Sequence, residues 1–284
     1  MSINLSAAQI AQFDAMVKHA YQGAGLLRGT VRVRTGVVGA SHRFPKMGKG
    51  TATPRVPQTD VVPMNVAHTG ATATLENWNA PEYTDIFDQA GVNYDEKAEL
   101  ASVIASAIGR REDQLIIDAI DAASTTLTVG NDVGGTDTGL NVAKLRRARN
   151  KLSQSGAPKG KDDRTYLTNA DGLEELLGET QPTSSDYNTV KTLVDGEIQH
   201  FVGFRIIEME DRDEGGLPVD GSNDRTDYAY ARSSTGLAVG LEFRTEVNYI
   251  PEKTSWLSNG IFRAGAVSID ALGIVEVTCR QAIA

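Results

Sequence analysis

The sequence predicts an α+β fold, with helical and strand-forming stretches segregated along the chain rather than alternating. Three observations carry this. From Asn93 to Ala123, apolar residues recur at three-to-four spacing over about 28 positions, a rod of about 40 Å at 1.5 Å per residue. Near the end of the chain, Thr245 to Ile250, Ile261 to Ile269 and Ile274 to Arg280 alternate with the period of two expected of half-buried strands. No internal repeat of fixed period runs through the chain, and the regular strand-helix succession of a wound α/β protein is missing.

Taken in order, Ser6 to Tyr21 reads as a short helix with Ile10, Phe13, Met16 and Val17 on one face, ended by Gly23 and Gly25. Leu27 to Thr35 alternates Val31 and Val33 with Arg32 and Arg34, which predicts a strand with one charged face. Between Gly36 and Val61 the chain is rich in Gly, Pro, Thr and basic residues and poor in large apolar ones, so it cannot bury itself. A second alternating run, Ala71 to Trp78, is expected to pair with the strand near residue 33 and close a long excursion tipped by Lys46 to Gly50.

The rod is expected to start at Asn93, capped reciprocally with Glu96, and to stop at Ser124. Its apolar stripe comprises Leu100, Val103, Ile104, Ala107, Ile108, Leu115, Ala119 and Ala122, and Lys97, Glu99, Arg110, Glu112, Asp113 and Asp121 form the opposite face. It is more than twice the usual helix length yet has no sustained heptads, as a spine carrying other parts would. Beyond a Gly/Asp loop at 130–139, Asn141 to Gln154 predicts a basic helix with Lys144, Arg146, Arg147, Arg149 and Lys151, stopped by Gly156 and Pro158. Further expectations are a strand at Tyr166 and Leu167, short helices at Leu173 to Leu177 and Tyr187 to Val194, and a strand at His200 to Met209. After an acidic loop from Glu210 to Asp227 come strands at Tyr228 to Arg232 and Gly236 to Phe243. In the final strand Val275, Val277 and Cys279 oppose Glu276, Thr278 and Arg280.

The 284 residues are 40% hydrophobic, which permits a core, and the net charge of −9 argues against a surface built wholly to bind nucleic acid. The charge is unevenly placed. Residues 1–60 hold eight bases and two acids, a net of +6, and the remainder holds 20 bases and 35 acids, a net of −15. Copies of such a chain are complementary head to tail. The single Cys279 excludes an internal disulfide framework and suits a reducing compartment. Gln9, Gln12, Asp14 and Lys18 interrupt the N-terminal apolar pattern, so no secretory signal is expected, and no run approaches the roughly 18 apolar residues of a membrane span.

No catalytic constellation is expected. Lys46 to Thr51 falls short of a phosphate loop because Arg43 and Gly50 stand where Gly and Ser or Thr are needed. The four histidines, His19, His42, His68 and His200, have no second ligand at metal spacing, so no cofactor or metal is assigned. Asp211, Asp213, Glu214, Asp220, Asp224 and Asp227 could gather around calcium, but Gly215 and Ser222 occupy EF-hand ligand positions and a solvated loop is the preferred reading. The basic helix lacks interleaved aromatic residues and reads as a solvated or partner-facing surface.

The stretches Trp78 to Asp88 (Trp-Asn-Ala-Pro-Glu-Tyr-Thr-Asp-Ile-Phe-Asp), Ala107 to Ile120 within the spine, and Gly203 to Ile207 carry a resemblance. In their order of arm, hairpin, spine and closing strands, the chain resembles the major capsid proteins of tailed bacteriophages with the HK97-like fold. Arg110, Arg111 and Asp113 match by position the Arg-Arg-x-Asp type block that lies in that family's spine.

The resemblance implies an N-terminal arm at 1–35, an extended loop at 36–80, a peripheral domain at 81–124 with 241–284, and an axial domain at 125–240. It implies a non-enzymatic structural protein of the virion that assembles in the host bacterial cytoplasm into hexamers, pentamers and an icosahedral shell around double-stranded DNA. Contact with the packaged DNA would be weak and non-specific, in keeping with the acidic charge. Because the chain starts at the arm, scaffolding is expected to be either a separate protein or dispensable, and portal and decoration proteins are the other expected partners; no membrane is involved. Arg28, Arg32, Arg34, Arg43, Lys46 and Lys49 are the candidate contacts between subunits, and Leu100, Val103, Ile104, Ile108 and Leu115 the candidate core of the spine. The alternatives are an encapsulin-like compartment and, in a different class, a metal-dependent enzyme using the 211–227 loop.

Overall fold

Strand-forming residues from distant parts of the chain meet in two large sheets, beside a two-stranded one, and the long helix lies where the large sheets adjoin. The structure, a computed structural model, describes residues 25–91, 96–160, 162–179, 200–210 and 214–281. The chain makes a 3₁₀ turn (Arg28–Thr30), β1 (Arg32–Arg34), β2 (Ser41–Met47), β3 (His68–Thr74), β4 (Glu76–Asp85), α1 (Ile86–Gly91) and α2 (Glu96–Asp121). There follow β5 (Thr128–Val129), α3 (Val142–Ser155), β6 (Arg164–Asn169), α4 (Ala170–Gly178), β7 (His200–Phe201) and β8 (Phe204–Met209). The chain closes with β9 (Asp224–Ala231), β10 (Thr235–Ile250), β11 (Ser255–Ser268) and β12 (Ile274–Arg280). The expected helices at 6–21 and 187–194, the Asn93 cap, and Asp211 and Asp213 fall outside the described residues.

One large sheet has the order β1-β10-β11-β4, the other β5-β12-β9-β6-β8-β7, and β2 and β3 form a two-stranded sheet. The expected pairing of the strand near residue 33 with residues 71–78 is therefore corrected. Gly36 (φ 66°) and Gly39 (φ 108°) turn the chain between β1 and β2, so β1 joins β10 in parallel while β2 runs antiparallel to β3 from Ser41 opposite Thr74 to Met47 opposite His68. The alternation at 71–78 belongs to two strands. Leu75 lies between them, buried, with its N–H donating to the Ala40 carbonyl. Nor is the tip Lys46 to Gly50: β2 ends at Met47, and residues 48–67 connect the two strands.

α2 spans 26 residues. Its first half lies on the first sheet with Ile104 and Ile108 buried, while Leu100, Val103, Ala107 and Leu115 are half-buried and Ala122 is exposed beyond the helix end. The second half buries Ile116, Ile117 and Ile120, which join one core with Leu237, Val239 and Phe262 of the first sheet and Leu167, Tyr228 and Ile274 of the second. A helix covered from two directions needs a wider apolar face than a single stripe. Glu112 and Asp113, expected on the solvent face, are both buried there. Ile104→Asp is expected to abolish soluble folded subunit, because an unpaired buried carboxylate costs several kcal/mol; a wild-type melting curve for that variant would refute the packing.

α3 and α4 cover the other face of the second sheet, where Leu145, Leu152 and Leu176 meet Tyr166, Phe204, Ala229, Val275, Val277 and Cys279. β6 is buried along its whole length and β9 nearly so, because helices pack on both faces. Asn141 caps α3 by accepting from the Lys144 N–H, and Gly156 closes it in the left-handed region (φ 86°). The single strand expected at 200–209 is two. Val202 (φ 51°) and Gly203 (φ 79°) form a two-residue turn of the hairpin kind that reverses the chain between β7 and β8.

The strands expected at 236–243 and 245–250 are one, β10, whose pairing with β11 shifts register between Val239 and Leu241 and again between Leu241 and Arg244. The boundary expected at residue 240 thus falls inside a strand. β12 pairs with β9 and β5, so the chain's last strand lies in the sheet built from residues 125–231.

Candidate subunit interface

The hairpin has one small buried cluster, near its base. Phe44 is buried against Val37, Ala73, Leu75 and Ala238, and the His42 ring meets it edge-on at 4.7 Å. Beyond that small cluster, residues 48–67 are exposed at every position except Val66. They include Val56, Val61, Val62 and Met64, each more than half exposed. The basic residues of this segment are legible in the sequence, whereas these four are not, because scattered apolar residues have no period to detect.

The six basic candidates are spread from the 3₁₀ turn to the hairpin, and the fold treats them differently. The Arg28 guanidinium donates to Glu242 at 2.8 Å and lies 3.5 Å from Glu112. Arg32 sits 5.7 Å from the centre of the Phe44 ring. Lys46 pairs with Asp270 at 2.8 Å, and Lys49 Nζ donates to the Ser155 carbonyl at 3.3 Å, both within the same chain. Arg34 and Arg43 are exposed and have no ionic partner among the described residues. Exposed pairs such as Lys46 with Asp270 exchange readily for others, since each contributes at most about 1 kcal/mol.

A second exposed surface lies at the far ends of β4, β10 and β11. Phe243, Val247 and Tyr249 are exposed there, Tyr249 lies 5.3 Å from Trp256, and Lys97 stands 4.2 Å over the Trp256 ring. Lys253 stacks on Tyr83 at 4.0 Å and donates to its hydroxyl at 2.8 Å. Glu82, Glu246 and Glu252 are exposed on the same strand ends. Charge of both signs meets there, since Lys97 and Lys253 lie on this surface and Arg244 pairs with Glu246 at 2.9 Å, and its exposed carboxylates can exchange onto the basic hairpin.

Where the first described residues meet the spine, Asp113 is fully buried and accepts the main-chain N–H groups of Leu26 (3.0 Å) and Leu27 (2.9 Å). Thr30 bonds Tyr230 across 2.5 Å beside it. Burial raises Glu112 above the ordinary carboxyl range, opposed by Arg28 and reinforced by Asp113 and Glu242. A carboxyl raised on folding contributes stability below its ordinary pKa and loses it as pH rises through the raised value. Glu112→Gln is therefore expected to narrow the drop in melting temperature between pH 5 and pH 8 by a few degrees; an unchanged pH profile would count against the assignment.

The acidic loop expected to end at Asp227 gives way to β9 at Asp224. Asp227 is fully buried, with Arg225 Nε donating at 2.7 Å and the Tyr166 hydroxyl at 3.1 Å. Burial raises the Asp227 carboxyl against the pull of Arg225. This carboxylate already serves a buried guanidinium and is unsuited to a solvent-facing calcium loop. Lys144, expected on a solvated helix face, is buried too. Its Nζ donates to the Thr138 and Thr278 carbonyls at 2.5 and 2.8 Å, and burial lowers its pKa. Both corrections have one cause: β12 and α3 close over this side of β9.

A family model described as phage capsid protein matches residues 5–281. No curated protein shows significant sequence similarity to the chain. Among solved structures, the chain is similar to the capsid of cyanophage P-SCSP1u at 14% identity, with a TM-score of 0.76 over 98% of this chain and 94% of that one. It is similar to the head of Helicobacter pylori bacteriophage KHP40 at 11% identity, with a TM-score of 0.74 over 99% and 97% of the two chains. The capsid of Ralstonia phage GP4 gives 8% identity and a TM-score of 0.73 over 100% and 98%.

Proposed function

The chain belongs to the phage capsid protein family, has the HK97-like fold and is a shell-forming structural protein, and from that premise we propose how its copies meet. The hairpin of β2 and β3 reaches over a neighbouring subunit, placing Arg34, Arg43 and the 48–67 tip against the exposed aromatic residues and carboxylates at the ends of β4, β10 and β11. The exposed tip carries this reading. Twenty residues with four large apolar side chains exposed gain most by being covered, at about 25 cal/mol per Å² of apolar surface removed from water. Charge pairs at the rim set register and association rate more than affinity.

In this reading the subunits form hexamers and pentamers and close into an icosahedral shell around double-stranded DNA, which the acidic bulk of the chain contacts only weakly. The first sheet with α2 is the peripheral part and the second sheet with α3 and α4 the axial part, β12 included. Assembly takes place in the host bacterial cytoplasm with scaffolding, portal and decoration proteins as partners, and the protein has no enzymatic role.

Light scattering and electron microscopy of the purified chain, with and without scaffold and over a range of salt, test the proposal. Closed particles of megadalton mass are expected. A chain that stays monomeric throughout would overturn it.

A further inference from the structure

We propose that Asp113 is a positioning residue, which fastens the chain at residues 25–28 to the middle of the spine and so fixes the path by which this segment enters the body of the subunit. The inference rests on the shell reading above. Three contacts, made by different chemistry, converge on residues 25–28. At Gly25 the chain crosses the spine backbone to backbone: a Cβ there would lie 3.0 Å from the Gly109 carbonyl oxygen and 3.1 Å from its Cα, tighter than side chains normally pack. One turn further along α2, Asp113 takes the N–H groups of two successive residues, Leu26 and Leu27. Arg28 then reaches the neighbouring Glu112 and, on β10, Glu242.

The cost of this arrangement marks it as more than packing. A carboxylate is withdrawn from water in the interior of the longest helix, where Leu or Ala would fill the space without desolvating a charge. What it gains is direction. Two charge-assisted main-chain bonds define the path of a backbone that belongs to no helix or strand at residues 25–27. Leu27 then enters the core, fully buried, from a defined point. Because Arg28 also ties to β10, the root is held to the spine and the first sheet together.

The test perturbs the clasp from both sides in the full chain. Asp113→Asn turns an acceptor pair into a group that sets an N–H against the main-chain donors, and Gly25→Val forces the crossing apart from the exposed side. In the soluble subunit, both variants are expected to speed hydrogen exchange at Leu26 and Leu27 at least tenfold and to lower the melting temperature by only a few degrees. Assembly, followed by electron microscopy beside the wild type, is expected to fail or give irregular particles. Normal shells from variants with fast exchange at the root would overturn the proposal, as would unchanged exchange in both. Loss of folding in both would also overturn it, by showing the contact to be part of the core. A wild-type chain that forms no particles, with the exchange result intact, would instead remove the shell reading on which the proposal rests.

Discussion

Asp227→Ala is expected to destabilise the subunit by about 3–5 kcal/mol, because it leaves the Arg225 guanidinium buried without its counter-charge. Arg225 is fully buried, its Nε donates to Asp227 at 2.7 Å, and its two terminal nitrogens have no hydrogen-bond partner among the described residues. Water cannot take over the lost contact, since α3, α4 and β12 enclose that side of β9. For a domain of typical stability, a loss of this size approaches half of the total. Urea denaturation of the wild type and variant measures it directly. The pair itself is replaceable in principle, so the double variant Arg225→Met with Asp227→Leu should recover much of the loss. A single variant within about 1 kcal/mol of the wild type would mean the guanidinium finds solvent.

The triple charge reversal Arg43→Glu, Lys46→Glu and Lys49→Glu is expected to leave folding nearly intact and to prevent or misdirect assembly. Within the subunit, Lys46 and Lys49 make only exposed contacts, with Asp270 and the Ser155 carbonyl, and Arg43 has no ionic partner among the described residues. Losing such contacts costs little stability. Against an acidic neighbour, three reversed charges replace attraction with repulsion, and like-charge contacts are strongly disfavoured. The effect should weaken as salt rises toward 1 M, where the Debye length falls to about 3 Å. Melting curves paired with electron microscopy separate the cases. Normal shells would show that the hairpin does not meet its neighbour through charge, and a large drop in melting temperature would place these residues against their own subunit.

Local patterns reported local structure well. β12 falls at Ile274–Arg280, where the alternation placed it, and its three inward residues Val275, Val277 and Cys279 are fully buried. α3 starts at its Asn141 cap and stops at Gly156. α2 was legible from spacing alone, as was the exposure of residues 48–61, whereas the burial of Val37 and Phe44 just before them was not. Each of these depends on a period or a capping residue within a few positions, which a linear reading contains.

Partnership was not legible, and neither was the burial of charge. β1 and β3 both alternate, but whether they pair depends on the turn at Gly36 and Gly39 and on β10, two hundred residues away in sequence. Lys144, Glu112, Asp113 and Asp227 looked like surface because charge is costly to bury alone. They are inside because residues distant in sequence supply their partners: main-chain carbonyls for Lys144, the N–H groups of Leu26 and Leu27 for Asp113. The sequence by itself determined the long helix, the closing strands, the division of charge and the family resemblance, since all of these are carried by neighbouring residues. Only the tertiary structure decided the sheet order, the root clasp and the buried ion pair, because a buried charge is stable only when a distant segment completes its hydrogen bonds.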